Sequence, residues 1–155
     1  MSKRPALSLR ARALQALALR EHSRSELRRK LLRKLQESEE EVESLDRLLD
    51  ELQAQGLLSE ARFIESRIHV RSPRFGNRRI QAELAQHGLQ LDEASAEQLR
   101  QSELARALAV WQRKFGAVAE SPAERAKQMR FLSGRGFSAE TIRRVVQGPP
   151  SLHED

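Results

Sequence analysis

Leu84-Ala85-Gln86-His87-Gly88-Leu89 and Leu132-Ser133-Gly134-Arg135-Gly136-Phe137 stand 48 residues apart and share one form: an apolar residue, three intervening positions, a glycine, and a second apolar residue. That is how a helix ends when glycine takes the left-handed position just past its last turn. The same ungapped shift superposes Phe63 on Trp111, Val70 on Val118 and Arg79 on Lys127, then Asp92 on Glu140 and Ala94 on Ile142. Residue types agree although identities are few, so the chain repeats a unit of about three helices. An earlier unit follows at a shift of 50, where Ala11, Arg12, Leu14 and Ala18 meet Ala61, Arg62, Ile64 and Ile68. It continues at a shift of 53, where Leu27 and Leu31 meet Ile80 and Leu84. The three-residue jump places an insertion in the turn-rich segment Arg71-Ser72-Pro73-Arg74-Phe75-Gly76.

Helix signals divide the chain accordingly. Ser23-Arg24-Ser25-Glu26 and Ser38-Glu39-Glu40-Glu41 spell capping boxes, and Ser121-Pro122-Ala123-Glu124 puts proline in a first turn. Gly56, Gly88, Gly116, Gly136 and Gly148 each follow an apolar-periodic run. Leu27, Leu31 and Leu35, then Val42, Leu45, Leu48, Leu49 and Leu52, keep helical spacing, and no stretch alternates as a strand would. The expected fold is all-α, with helices near 8–22, 23–35, 39–55, 59–71, 77–87, 92–101, 102–115, 122–134 and 138–147. The helix at 92–101 is the weakest, because Glu97 and Gln98 stand where Val145 and Val146 stand in the next unit. Three three-helix repeats are expected at 1–56 (with a basic N-terminus), 57–101 and 102–148, followed by a flexible tail at 149–155.

Composition narrows the function classes. With 155 residues, 39% hydrophobic and 32% charged, the chain suits thin helical layers better than a large enzyme core. The absence of Cys excludes disulfides, thiolate metal sites and cysteine nucleophiles. Ala11–Leu19 is broken by Arg12 and Gln15, too polar for a spanning helix, so a cytoplasmic protein is expected. The net charge of +6 calls for an anionic partner. It oscillates along the chain: residues 1–37 carry eleven basic and three acidic side chains, residues 38–60 one and eight.

No catalytic constellation is visible. The four His (His22, His69, His87, His153) form no ligand pair, and Glu65 with His69 lacks the second His of a zinc-protease helix. Gly134-Arg135-Gly136 is too short for a dinucleotide fingerprint. Phe63, Trp111, Phe131 and Phe137 fall at apolar-periodic places and belong to the core, which leaves Phe75 as the aromatic that could stack on a base. No catalytic residue, metal or cofactor is therefore expected.

Two basic clusters remain. On helix 23–35, Leu27, Leu31 and Leu35 take one face while Arg24, Arg28, Arg29, Lys30, Arg33 and Lys34 cover the rest. A merely solvated helix would look the same, and the acidic run Glu39–Glu43 follows closely enough to pair with it. Arg71, Arg74, Arg78 and Arg79 surround the inserted segment, which reads as a mobile basic finger; Phe75 and Arg135 complete the candidate set. A DNA-binding module built on helix-turn-helix-like basic helices is the alternative that these clusters leave open.

Arg20-Glu21-His22-Ser23 with Glu26-Leu27, Gly56-Leu57-Leu58 with Ala61-Arg62-Phe63, Gly76 with Arg79-Ile80 and Glu83-Leu84, and Phe131-Leu132 with Arg135-Gly136-Phe137-Ser138 lie in an order that resembles the RecX family of bacterial regulators. The likeness covers about residues 8–147. His87 departs from it, standing where many relatives place a basic residue before the glycine. The resemblance implies a curved, elongated array of three-helix units, a monomer lodged in the groove of the RecA–DNA filament. It further implies restraint of strand exchange, ATPase and the repressor-cleaving SOS response, with DNA contacted directly or through the filament, and no chemistry of its own.

Overall fold

The computed structural model describes residues 7–35 and 39–148, so the expected tail at 149–155 and the Ser38 capping box lie outside the described residues. Among the described residues there are eight helices and no strand: α1 (Leu9–Leu19), α2 (Arg24–Leu32), α3 (Glu39–Ala54), α4 (Glu60–Arg71), α5 (Asn77–Gln86), α6 (Glu93–Lys114), α7 (Pro122–Gly134) and α8 (Ala139–Val146). The all-α expectation holds. Nine helices were expected; the pair at 92–101 and 102–115 is one continuous α6. Gln101-Ser102-Glu103 offers neither glycine nor proline to stop it, and Ser102 turns its hydroxyl back to the Leu99 carbonyl at 3.2 Å instead of capping a new helix.

The chain divides into two compact units, Met1–Ser66 and Arg67–Asp155, with the boundary inside α4. In the first, α2 packs on α1 and α3 around Ala13, Leu27, Leu31, Leu45, Leu49, Leu52 and Leu58. The i, i+4 and i, i+3 spacings of these leucines set them on single helix faces. Ser23 caps α2, its Oγ accepting from the Glu26 N–H at 3.1 Å. Gly56, at φ +74°, ends the run after α3 and lets the Leu57 and Leu58 N–H groups both donate to the Leu52 carbonyl.

In the second unit, α6 is the spine against which α5, α7 and α8 pack. Its core joins Ala107, Val110 and Trp111 of α6 to Leu132, Phe137 and the α8 face Ile142, Val145 and Val146. The Trp111 indole N–H donates to Gln128 Oε1 at 3.0 Å, and Gln128 Nε2 donates to the Ala117 carbonyl at 3.1 Å, so the buried polar groups pair with one another. The glycines read as equivalent in sequence behave alike: Leu89 N–H returns to the Leu84 carbonyl at 3.0 Å, Phe137 N–H to the Leu132 carbonyl at 3.2 Å.

Candidate binding surface

In the first unit, the resemblance motifs at 20–26 and 56–63 form one structural knot. Arg20 holds Glu26 through both carboxylate oxygens, at 3.0 and 2.6 Å. Burial alone would raise that carboxyl, but the Arg20 guanidinium outweighs burial and brings it down to about 2. Arg62 donates to Glu21 Oε1 at 2.8 Å and to the Gly56 carbonyl at 2.7 Å. His22 is buried, with Nδ1 3.0 Å from the Arg20 carbonyl and Nε2 2.7 Å from Lys30 Nζ. An ammonium can only donate, so Nε2 accepts, the Nδ1–H donates, and the ring is neutral; burial pushes its pKa down.

The basic helix of this unit is partly spent on structure. Arg24 donates to Asp50 Oδ1 at 2.7 Å and pairs with Gln53; Arg28 donates to Asp46 Oδ1 at 2.8 Å. The oscillation of charge thus reflects, in part, α2 pairing with α3. Arg29, Arg33 and Lys34 are exposed and have no carboxylate partner among the described residues.

In the second unit, the motifs around Gly76 and Gly136 meet backbone to backbone. Gly76 N–H donates to the Arg135 carbonyl at 2.8 Å, and Arg78 N–H to the Gly136 carbonyl at 3.2 Å. A Cβ on Gly76 would lie 2.4 Å from the Gly136 carbonyl, and one on Gly136 would lie 2.5 Å from Arg79 Cβ. Glycine at both places is a packing requirement.

Two side chains of α6 complete this junction. Glu103, 5% exposed, accepts from the Asn77 N–H at 3.0 Å, the Ser138 N–H at 3.1 Å and Thr141 Oγ1 at 2.8 Å, so one carboxylate serves the N-termini of α5 and α8. Burial would raise its pKa, but these hydrogen bonds prevail and hold it below the usual carboxylate value. Arg106 donates to the Ser72 and Phe75 carbonyls at 3.1 and 2.9 Å, to Leu99 and Ser102 on its own helix, and to Asn77 Oδ1. Arg113 adds a bond to the Pro73 carbonyl at 3.0 Å. The segment expected to be a mobile finger is instead anchored through its carbonyls, because α6 carries guanidinium donors beneath it.

The predicted basic residues of this unit separate. Arg71 is drawn to Glu83, at 3.1 Å, and lies over the Phe75 ring at 5.8 Å. Arg79 stacks on that ring at 4.0 Å and Arg135 lies at 5.3 Å, so the half-buried Phe75 is already engaged by cations. Arg78 projects toward a different depression, shared with Gln81, Arg100 and Arg144. Arg74 and Arg135 instead meet Arg113 and Lys114 around a cleft of about 310 Å³ floored by Val110 and Phe131. Lys114 and Arg135 flank the Phe131 ring at 5.4 and 5.1 Å, and the edge of Phe115 meets it at 5.4 Å. Arg113 and Lys114 had not stood out in the sequence. As an adjacent basic pair in the last turn of a helix they looked like ordinary dipole partners.

The chain is similar over nearly its whole length to proteins named as regulators. Regulatory protein RecX of Ralstonia nicotianae is 48% identical over 155 residues, covering 98% of this chain and 94% of that protein. The chain belongs to the RecX family. Regulatory protein RecX of Leptothrix cholodnii is 45% identical and covers 99% of this chain and 96% of that protein; that of Herminiimonas arsenicoxydans is 48% identical over 143 residues, 91% of this chain and 92% of that protein. The model of the RecX third three-helix domain matches residues 101–146. The crystal structure of RecX from Lactobacillus salivarius shares the fold, with a TM-score of 0.68 at 19% identity over 90% of this chain and 92% of that one. The RecX relatives are named regulatory proteins, not enzymes. Among the described residues no helix is long and apolar enough to cross a membrane, and no His, Asp and Glu cluster could hold a metal ion.

Proposed function

We propose that this chain restrains the RecA recombinase by lodging, as a cytoplasmic monomer, in the groove of the RecA–DNA filament, acting by binding alone and without a cofactor. The observation that carries the reading is the near full-length likeness to regulatory RecX proteins. Cations without carboxylate partners among the described residues, the exposed Arg29 on α2, Arg33 and Lys34 just after it and Arg74 in the second unit, with the half-buried Arg135, supply the charge that an acidic or phosphate-lined groove would attract. Three three-helix repeats at 1–56, 57–101 and 102–148 are part of the same proposal, supported at the third by the domain match at 101–146.

The test is RecA-promoted strand exchange with the purified protein added. Dose-dependent slowing is expected; unchanged exchange at saturating protein would end the proposal. A stand-alone DNA-binding module fits less well, since Arg24 and Arg28 are held by Asp50 and Asp46. That reading requires affinity for naked DNA to fall roughly a thousandfold or more between about 50 and 200 mM salt for ~6–10 phosphate contacts.

A further inference from the structure

Four cationic side chains, Arg74, Arg113, Lys114 and Arg135, converge on the cleft beside Val110 and Phe131, and no acidic residue lines it. None of the four has a carboxylate partner among the described residues; Arg113 bonds only the Pro73 carbonyl, and Lys114 and Arg135 are held over the Phe131 ring. Gathering like charges costs free energy that spreading them over the surface would avoid. Here the cost is met in a place where aromatic faces preorganise the cations and leave guanidinium N–H edges free to donate, the geometry that suits carboxylates held in pairs.

We infer that this cleft is a docking site for an acidic peptide segment in which carboxylates flank a bulky apolar side chain. The carboxylates engage the four cations, and the apolar side chain rests on Val110 and Phe131. Two observations favour a peptide over a nucleic-acid strand. The cations ring one cleft of about 310 Å³ instead of following a track. The floor is apolar, which a phosphodiester does not use. The inference deepens the proposed function, and rests on it only for the source of the peptide.

The experiment titrates the full chain into fluorescein-labelled Glu-Phe-Asp-Leu-Glu, with Glu-Gly-Asp-Gly-Glu as the charge-matched control and a ten-nucleotide oligothymidine as competitor, all read by anisotropy. Two double variants of equal net charge are compared: Arg74→Glu with Lys114→Glu in the cleft, and Arg47→Glu with Arg143→Glu at exposed positions away from it. Helix content by circular dichroism confirms that each is folded, and Arg74→Gln with Lys114→Gln serves if the charge reversal does not fold. Expected are at least tenfold weaker binding in the cleft variant, less than threefold change in the control variant, at least fivefold preference for the apolar-containing peptide, and little displacement by oligothymidine. Equal binding of the glycine peptide, equal loss in both variants, or no binding overturns the inference. Displacement by oligothymidine that the cleft variant abolishes overturns it in favour of a nucleic-acid site. Strand exchange is measured in parallel: wild type that binds peptide but never slows RecA refutes the proposed function and leaves the cleft assignment standing, whereas slowing without peptide binding does the reverse.

Discussion

Replacing Glu103 by Gln tests whether one buried carboxylate holds the second unit together. It accepts three hydrogen bonds, from the Asn77 and Ser138 N–H groups and from Thr141 Oγ1, and is 5% exposed. Gln keeps the shape but replaces one acceptor oxygen by an NH2 donor, which then faces the α5 or the α8 terminus donor to donor. One charge-assisted bond is lost, worth ~1.5–3 kcal/mol, and a buried N–H is left unsatisfied at ~1–3 kcal/mol. Because these overlap, the expected loss is about 3 kcal/mol. Trp111, the only tryptophan, lies in the core of the same unit, so urea unfolding followed by its fluorescence reports the effect directly. The pH dependence gives a second reading. The folded-state pKa of Glu103 is depressed, so its contribution is complete above the unfolded value of about 4.3 and is lost as pH falls through the folded one. Wild type should therefore converge toward Glu103→Gln as acid is added. A variant within about 0.5 kcal/mol of wild type at pH 7 would refute the argument.

Three further outcomes follow from the same packing. Gly136→Ala meets Arg79 Cβ at 2.5 Å from a φ of +90° and should cost about 3 kcal/mol or more, whereas Gly88→Ala, at φ +72° with open space around it, should cost only ~1–2 kcal/mol; urea midpoints decide. Arg106→Met should raise hydrogen–deuterium exchange of the amides in 72–77 well above wild type, since the anchors to the Ser72 and Phe75 carbonyls go with it. His22, held neutral by burial, contributes stability that is full above the unfolded value of about 6.5 and declines as pH falls below it toward the depressed folded pKa. The urea midpoint by circular dichroism should thus drop more between pH 7.5 and 5.5 in wild type than in His22→Gln, and equal slopes would count against the buried neutral ring.

The sequence by itself determined the helices, because caps, glycine stops and apolar spacing act within one or two turns. The equivalence of Gly88 and Gly136, and the serine cap at Ser23, needed nothing beyond local chemistry. It also determined the family, since motifs in fixed order survive as a linear pattern. Where it failed, the deciding interaction was remote in the chain. Ser102 looked like a boundary but bonds back to Leu99, so α6 runs through. Arg71, Arg79 and Phe75 looked like an open basic finger, yet Glu83, Arg135 and the donors of α6 claim them. Glu103 and Arg106 carry no signal in the sequence, although one caps two helices and the other anchors a segment 29–34 residues away. Arg74, Arg113, Lys114 and Arg135 are separated by as much as 61 positions, and only the packing of α7 on α6, with the anchoring of the Arg74 segment to Arg106 and Arg113, gathers them into one cleft. Local periodicity encodes which face of a helix is buried; which charges remain unpaired on the other face depends on what the tertiary fold sets opposite them.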